Sequence, residues 1–121
     1  MILVDTSVWV DHLRRGNSSL HQLLEAGEVS CHSFVIGELA CGTLRQRSAI
    51  LALLGELPDV PAAEDSEVLE LIESRRLMGR GLGWVDAHLL AASMIADVSL
   101  WTLDKPLANT ADQLGVRAEL G

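Results

Sequence analysis

The chain has 121 residues, enough for one compact domain with a buried core and too few for two. Nine Lys and Arg stand against 17 Asp and Glu, a formal net charge of −8, which excludes a protein that grips nucleic acid through a broad basic face. Hydrophobic residues make up 49% and charged residues 21%, a balance that excludes a disordered chain.

An apolar run at 1–4 predicts a first strand, and a helix is predicted over 9–15, with Thr6 or Ser7 available to cap its start. A second helix is predicted over 18–26, then a strand over 29–33 and helices over 34–44 and 48–57. A weak third strand falls at 59–62. The next helix, 65–78, carries Val68, Leu71 and Ile72 at the spacing of a buried stripe, with Ser66 and early acids suited to its N-terminal end. A Gly-rich piece at 78–83 leads into a helix over 85–96 that is apolar nearly all round, as suits an element with little solvent face. Strands at 98–103 and 116–120 complete an alternating order. Such alternation predicts an α/β fold in a single domain over 1–121, with a mainly parallel five-stranded sheet and helices on both faces.

No apolar stretch approaches the roughly 18 to 20 residues of a membrane span, so no membrane contact is expected. Residues 1–4 run straight into Asp5 with no basic lead, so no secretory signal is expected and the cytoplasm is the expected compartment. Cys31 and Cys41 lack the spacing of a zinc site and read as reduced core thiols, although their spacing does not exclude a bridge. The four histidines form no helical zinc pair.

Most acids read as solvated, but four stand in apolar surroundings, where an uncompensated carboxylate costs several kcal/mol or takes up a proton. Asp5 and Asp104 end the first and fourth apolar runs. They either cap the helices that follow or converge outside the carboxyl ends of neighbouring parallel strands, where ligands bind in open sheets. Glu38 has Phe34, Val35, Cys41 and Gly42 as its helical neighbours, and small Gly37, Ala40 and Gly42 would let that helix approach another element and seat the carboxylate in a cleft. The alternative is the polar edge of an amphipathic helix. Asp86 falls in the first turn of the apolar helix, either as a favourable partner of the helix dipole or as an acid facing the loops at the sheet edge. Four carboxylates together repel unless cations bind among them, and an all-oxygen set suits Mg²⁺ or Mn²⁺.

The ordered set resembles the PIN-domain family, in particular the VapC toxins of bacterial toxin–antitoxin pairs. Ile2-Leu3-Val4-Asp5-Thr6-Ser7-Val8-Trp9 resembles its first strand and acid, and Val35-Ile36-Gly37-Glu38-Leu39 its second acidic motif. Gly83-Trp84-Val85-Asp86-Ala87-His88-Leu89-Leu90-Ala91-Ala92 is similar to the third, and Leu100-Trp101-Thr102-Leu103-Asp104 to the fourth. The resemblance implies an α/β/α sandwich and a Mg²⁺- or Mn²⁺-dependent endoribonuclease acting on structured RNA such as tRNA or rRNA. Asp5 and Asp86 would be the main metal ligands, with Glu38 and Asp104 completing the catalytic pocket. Thr6 matches a hydroxyl position used near the metal or scissile phosphate, or is a plain helix cap. The resemblance also implies a VapB-type antitoxin that covers the active site, and a homodimer.

Seven of the nine basic residues fall in three Arg clusters, 14–15, 45–47 and 75–80, and Arg suits bidentate phosphate contacts. Arg76 and Arg80 flank the Gly-rich loop before Asp86 and are the first choice for RNA contact; the alternative is ordinary surface Arg. Trp9, Trp84 and Trp101 read as core residues rather than base-stacking ones. A rival reading is a two-component receiver-like phosphoacceptor domain, suggested by Thr102, Lys105 and Pro106. It lacks an acceptor Asp at the end of the third strand, since Asp59 begins that segment, and an acidic pair after the first strand, where Thr6 follows Asp5.

Overall fold

The computed structural model of the protein describes residues 1–120. Its centre is β1 (Ile2–Val4), flanked by β2 (Val29–Ser30) and β3 (Ser99–Trp101), all parallel, in the spatial order β2-β1-β3. Leu3 stands opposite Ser30 on one side and Leu100 on the other. Leu3, Val4 and Leu100 are fully buried, as a strand with both neighbours filled and helices on its faces requires.

The segments expected as third and fifth strands each contribute a single parallel bridge, Cys31 to Asp59 and Leu100 to Arg117. At the first edge the Cys31 N–H donates to the Pro58 carbonyl, and the Val60 N–H returns to Cys31, both at 2.8 Å. Pro61 follows at once. Proline has no N–H to extend a ladder, so pairing stops with Val60 as the only buried side chain of the segment. Among the described residues the continuous sheet therefore has three strands where five were expected.

Among the described residues seven helices accompany the strands: α1 (Thr6–Arg15), α2 (Ser18–Glu25), α3 (Ser33–Cys41), α4 (Arg47–Glu56), α5 (Asp65–Arg75), α6 (Trp84–Ala96) and α7 (Lys105–Gln113). α7 is additional to the predicted helices. Its start is readable in retrospect, with Asp104 as N-cap and Pro106 in the first turn. α1 begins at Thr6 rather than residue 9, because Asp5, not Thr6 or Ser7, is its cap. The cap of α3 is His32, whose Nδ1 accepts from the Phe34 N–H at 2.9 Å, while burial pushes the pKa of this imidazole down. At α5 the Glu67 carboxylate accepts from the Glu64 N–H at 2.9 Å.

α6 is the most enclosed helix. Residues 87–93 are all buried, with Leu89 and Leu90 in the main core and Ala87 and Ala91 against Val68, Leu71 and Ile72 of α5. Its C-terminal end is less covered than its apolar sequence suggested, for Ile95 is 61% exposed. His88 is buried among Phe34 and Trp84, and its Nε2 lies 3.1 Å from Asp65 Oδ1. The cysteines divide: Cys31 is buried, with its thiol pushed up to about 11, whereas Cys41 is exposed at the end of α3 and is not a core thiol. No helix among the described residues is long and apolar enough to cross a membrane.

Candidate active site

The central strand and its neighbour β3 each lead into an acid. A parallel strand delivers its carboxyl end to the sheet edge where the next helix starts, so Asp5 leaves β1 as the cap of α1, and Asp104 follows β3 as the cap of α7. Capping and convergence, alternatives in the sequence, are thus the same arrangement. Asp5 is tied to the neighbouring strand by its own N–H, which donates to the Trp101 carbonyl at 2.9 Å, and its side chain is only 6% exposed.

Two hydroxyls hold that carboxylate. Thr102 Oγ1 donates to Asp5 Oδ2 at 2.7 Å and Ser7 Oγ donates to the same oxygen at 2.8 Å. Each hydroxyl in turn accepts a backbone N–H from the turn after β3, Leu103 to Ser7 and Asp104 to Thr102, both at 3.0 Å. A single network therefore links Asp5 to the backbone that presents Asp104. The sequence offered Ser7 only as a cap and Thr102 only to the receiver reading. The signal was there in a hydroxyl two residues after the first acid and another two before the fourth.

Glu38 lies on an exposed face of α3, opposite α1, and accepts from Thr6 Oγ1 at 2.6 Å. Thr6 is the first residue of α1, so its hydroxyl joins the element after the first acid to the second acid rather than serving as that helix's cap. The close approach expected at Gly37 is absent, since a Cβ there would meet nothing within 4 Å. Small size at Gly37 has no packing role.

Asp86 arrives by the loop between α5 and α6. Arg76 ends α5 in the left-handed region, at φ 53°, and Gly79 and Gly81 follow at 73° and 79°, conformations that bend the chain back toward the sheet edge. A Cβ on Gly81 would lie 3.5 Å from Pro106 at the start of α7. Asp86 is half-buried and its Oδ2 accepts from the Gly83 N–H at 2.9 Å. Burial pushes its carboxyl above the usual carboxylate range; the Gly83 N–H opposes this, and the charges of Asp5, Asp104 and Glu38 reinforce it. All four predicted acids thus share one electrostatic neighbourhood.

In each acid one oxygen is committed to the fold and the other is not. The bonds above occupy Asp5 Oδ2, Glu38 Oε1 and Asp86 Oδ2, and Leu107 N–H occupies Asp104 Oδ2 at 3.1 Å. Among the described residues, the second oxygen of each has no hydrogen-bond partner. No three His, Cys, Asp or Glu among the described residues are gathered tightly enough to hold an ion directly. Mg²⁺ ordinarily takes one or two carboxylates and keeps water in its remaining positions, so this all-oxygen set fits such an ion.

The Arg pair singled out beside the loop is placed less openly. Arg80 donates through Nε to the Arg76 carbonyl at 3.1 Å and through Nη1 to Gln113 Oε1, strapping the loop to α7. Arg76 is exposed. Trp9 is buried as expected, but Trp84, in the first turn of α6 and two residues before Asp86, is 43% exposed and is not a core residue.

The PIN-domain family model matches residues 2–113. Ribonuclease VapC32 of Mycobacterium tuberculosis, in strain CDC 1551 / Oshkosh and in strain ATCC 25618 / H37Rv, is 48% identical to this chain over 117 residues, covering 96% of this chain and 94% of the relative.

Proposed function

The chain belongs to the PIN-domain family, and from that premise we propose that it is a VapC-type toxin, an endoribonuclease that hydrolyses phosphodiester bonds in structured RNA such as tRNA or rRNA with Mg²⁺ or Mn²⁺. The observation that carries this reading is the set of four acids, each bound to the fold through one oxygen and free at the other. The fold in this reading is one PIN-like α/β/α sandwich over 1–121, its three-stranded parallel sheet met at each edge by a single bridge.

When bound, the divalent ion supplies neutralisation of phosphate charge and a stronger water nucleophile at neutral pH. Asp5 and Asp86 would be the residues that hold it. Ser7 and Thr102 fix the orientation of Asp5 by holding one of its oxygens and leaving the other without a partner. Glu38 and Asp104 would complete the pocket, one of them positioning the attacking water or accepting its proton, with Thr6 keeping Glu38 in place or meeting the scissile phosphate. Arg76 and Arg80 stand as candidate RNA contacts beside the loop. A VapB-type antitoxin that places a basic side chain among the acids, a homodimeric state and a cytoplasmic site of action complete the proposal.

The receiver-like alternative is not favoured, because Asp59 is exposed and forms a single edge bridge rather than ending a strand. Mapping RNA ends after brief expression tests the ribonuclease reading. The intact protein is expected to create a discrete set of new ends that Asp86→Asn does not; the same ends from both would show that the acids do not carry the reaction.

A further inference from the structure

A cavity of about 390 Å³ opens beside the acids and shares Thr6 and Glu38 with them. That volume is within the usual range for small-molecule sites. Val10 and Leu13 of α1 form one wall, with Leu39 of α3 and Leu44 of the following turn across from them. Arg14 and Arg45, both exposed, also line it.

The two Arg clusters on this side divide in the same way. Arg15 donates to Asp11 through Nε at 3.0 Å, and Arg47 donates to the Ala40 carbonyl at 2.9 Å, so each is spent on the protein's own surface. Their neighbours Arg14 and Arg45, the ones that face the cavity, have no hydrogen bond or ion pair among the described residues. A planar guanidinium without a partner beside an apolar wall suits an anion with a flat apolar body. It repels a basic protein segment. The cavity's inner end at Glu38 adjoins the place where a phosphodiester would be cut.

We propose that this cavity seats the nucleotide next to the scissile phosphate, with Arg14 and Arg45 each taking one flanking phosphate and the apolar wall taking ribose and base. It rests on the ribonuclease reading and assigns to it the side of the site on which the RNA is held. Cleavage preference is then set here, by what the wall between α1 and α3 accepts.

The test is binding of a fluorescein-labelled, random-sequence 20-nucleotide single-stranded RNA, followed by anisotropy in EDTA so that the probe stays intact. Arg14→Gln and Arg45→Gln are expected to weaken binding about tenfold each at low salt. Each should also flatten the slope of log affinity against log salt by about 0.7, the loss of one phosphate contact on a single strand. Arg14→Lys and Arg45→Lys should keep most of the slope, and Arg75→Gln, on α5, should bind like the intact protein. With Mg²⁺ present, the Gln variants should raise KM and leave kcat nearly unchanged. If Arg14→Gln and Arg45→Gln bind RNA as tightly as an intact protein that still cuts it, the cavity is off the RNA path and the proposal is wrong. Loss of affinity for an antitoxin alone would overturn it in favour of a protein partner. An intact protein that neither binds nor cuts RNA would overturn the ribonuclease reading, and the subsite with it.

Discussion

In Asp86, desolvation and three neighbouring acids work against ionisation, while the Gly83 N–H works for it. The sign for stability follows from that balance. A carboxyl whose pKa is raised on folding favours the folded state when protonated, and this contribution is lost as pH rises through the folded pKa. At neutral pH in EDTA, Asp86→Asn is therefore expected to melt a few degrees above the intact protein, since Asn still accepts from Gly83 but carries no charge. The gap should narrow as pH falls and Asp86 takes up its proton. Thermal melts of both proteins across acid to neutral pH read this directly, and an equal or lower Tm for the variant at neutral pH would mean that repulsion among the acids is not felt. The same substitution should abolish cleavage, so that one residue trades stability for function.

At the scale of elements, Asp104 separates two roles that the sequence could not. It caps α7 through Leu107 and belongs to the acid cluster, whereas Asn there keeps the cap and removes the charge. Both Asp104→Asn and Asp104→Ala are expected to lose most cleavage, but only the Ala variant should lose about 1 kcal/mol of stability in urea unfolding. Equal stability of the two would remove the cap from the account. What could be read from sequence was what depends on local pattern: β1 with its terminal acid, the buried stripe of α5, the enclosed first half of α6. The missed helix α7 had a local signal in Asp104 and Pro106, but other misses turn on partners distant in the chain or on their absence. The edge strand at 59–62 is cut short because Pro61 cannot answer a neighbour supplied by β2. Thr102 becomes a support for Asp5 only when β3 lies beside β1, 97 positions away in the chain. Trp84 and Cys41 have core-like identities, but no element happens to cover them.

Across the whole molecule, four of the 17 acids belong to the proposed site, and the repulsion concentrated there is what a bound divalent ion relieves. Any ligand that binds only the folded state stabilises it in proportion to its occupancy. At ten times its Kd the ion contributes about 1.4 kcal/mol, which for a chain of this size raises Tm by roughly 4–6 °C. MgCl₂ is therefore expected to raise Tm well beyond NaCl of matched ionic strength, because NaCl only screens exposed charges. Asp5→Asn is the sharper control: Asn preserves the cap of α1 and a carbonyl oxygen for Ser7 and Thr102, yet removes one ligand charge. The Mg²⁺-specific rise should disappear in Asp5→Asn and in Asp86→Asn, while the NaCl response stays. Equal shifts with the two salts in the intact protein would mean that the acids are an ordinary charged patch, and the metal-dependent reading would fall with them.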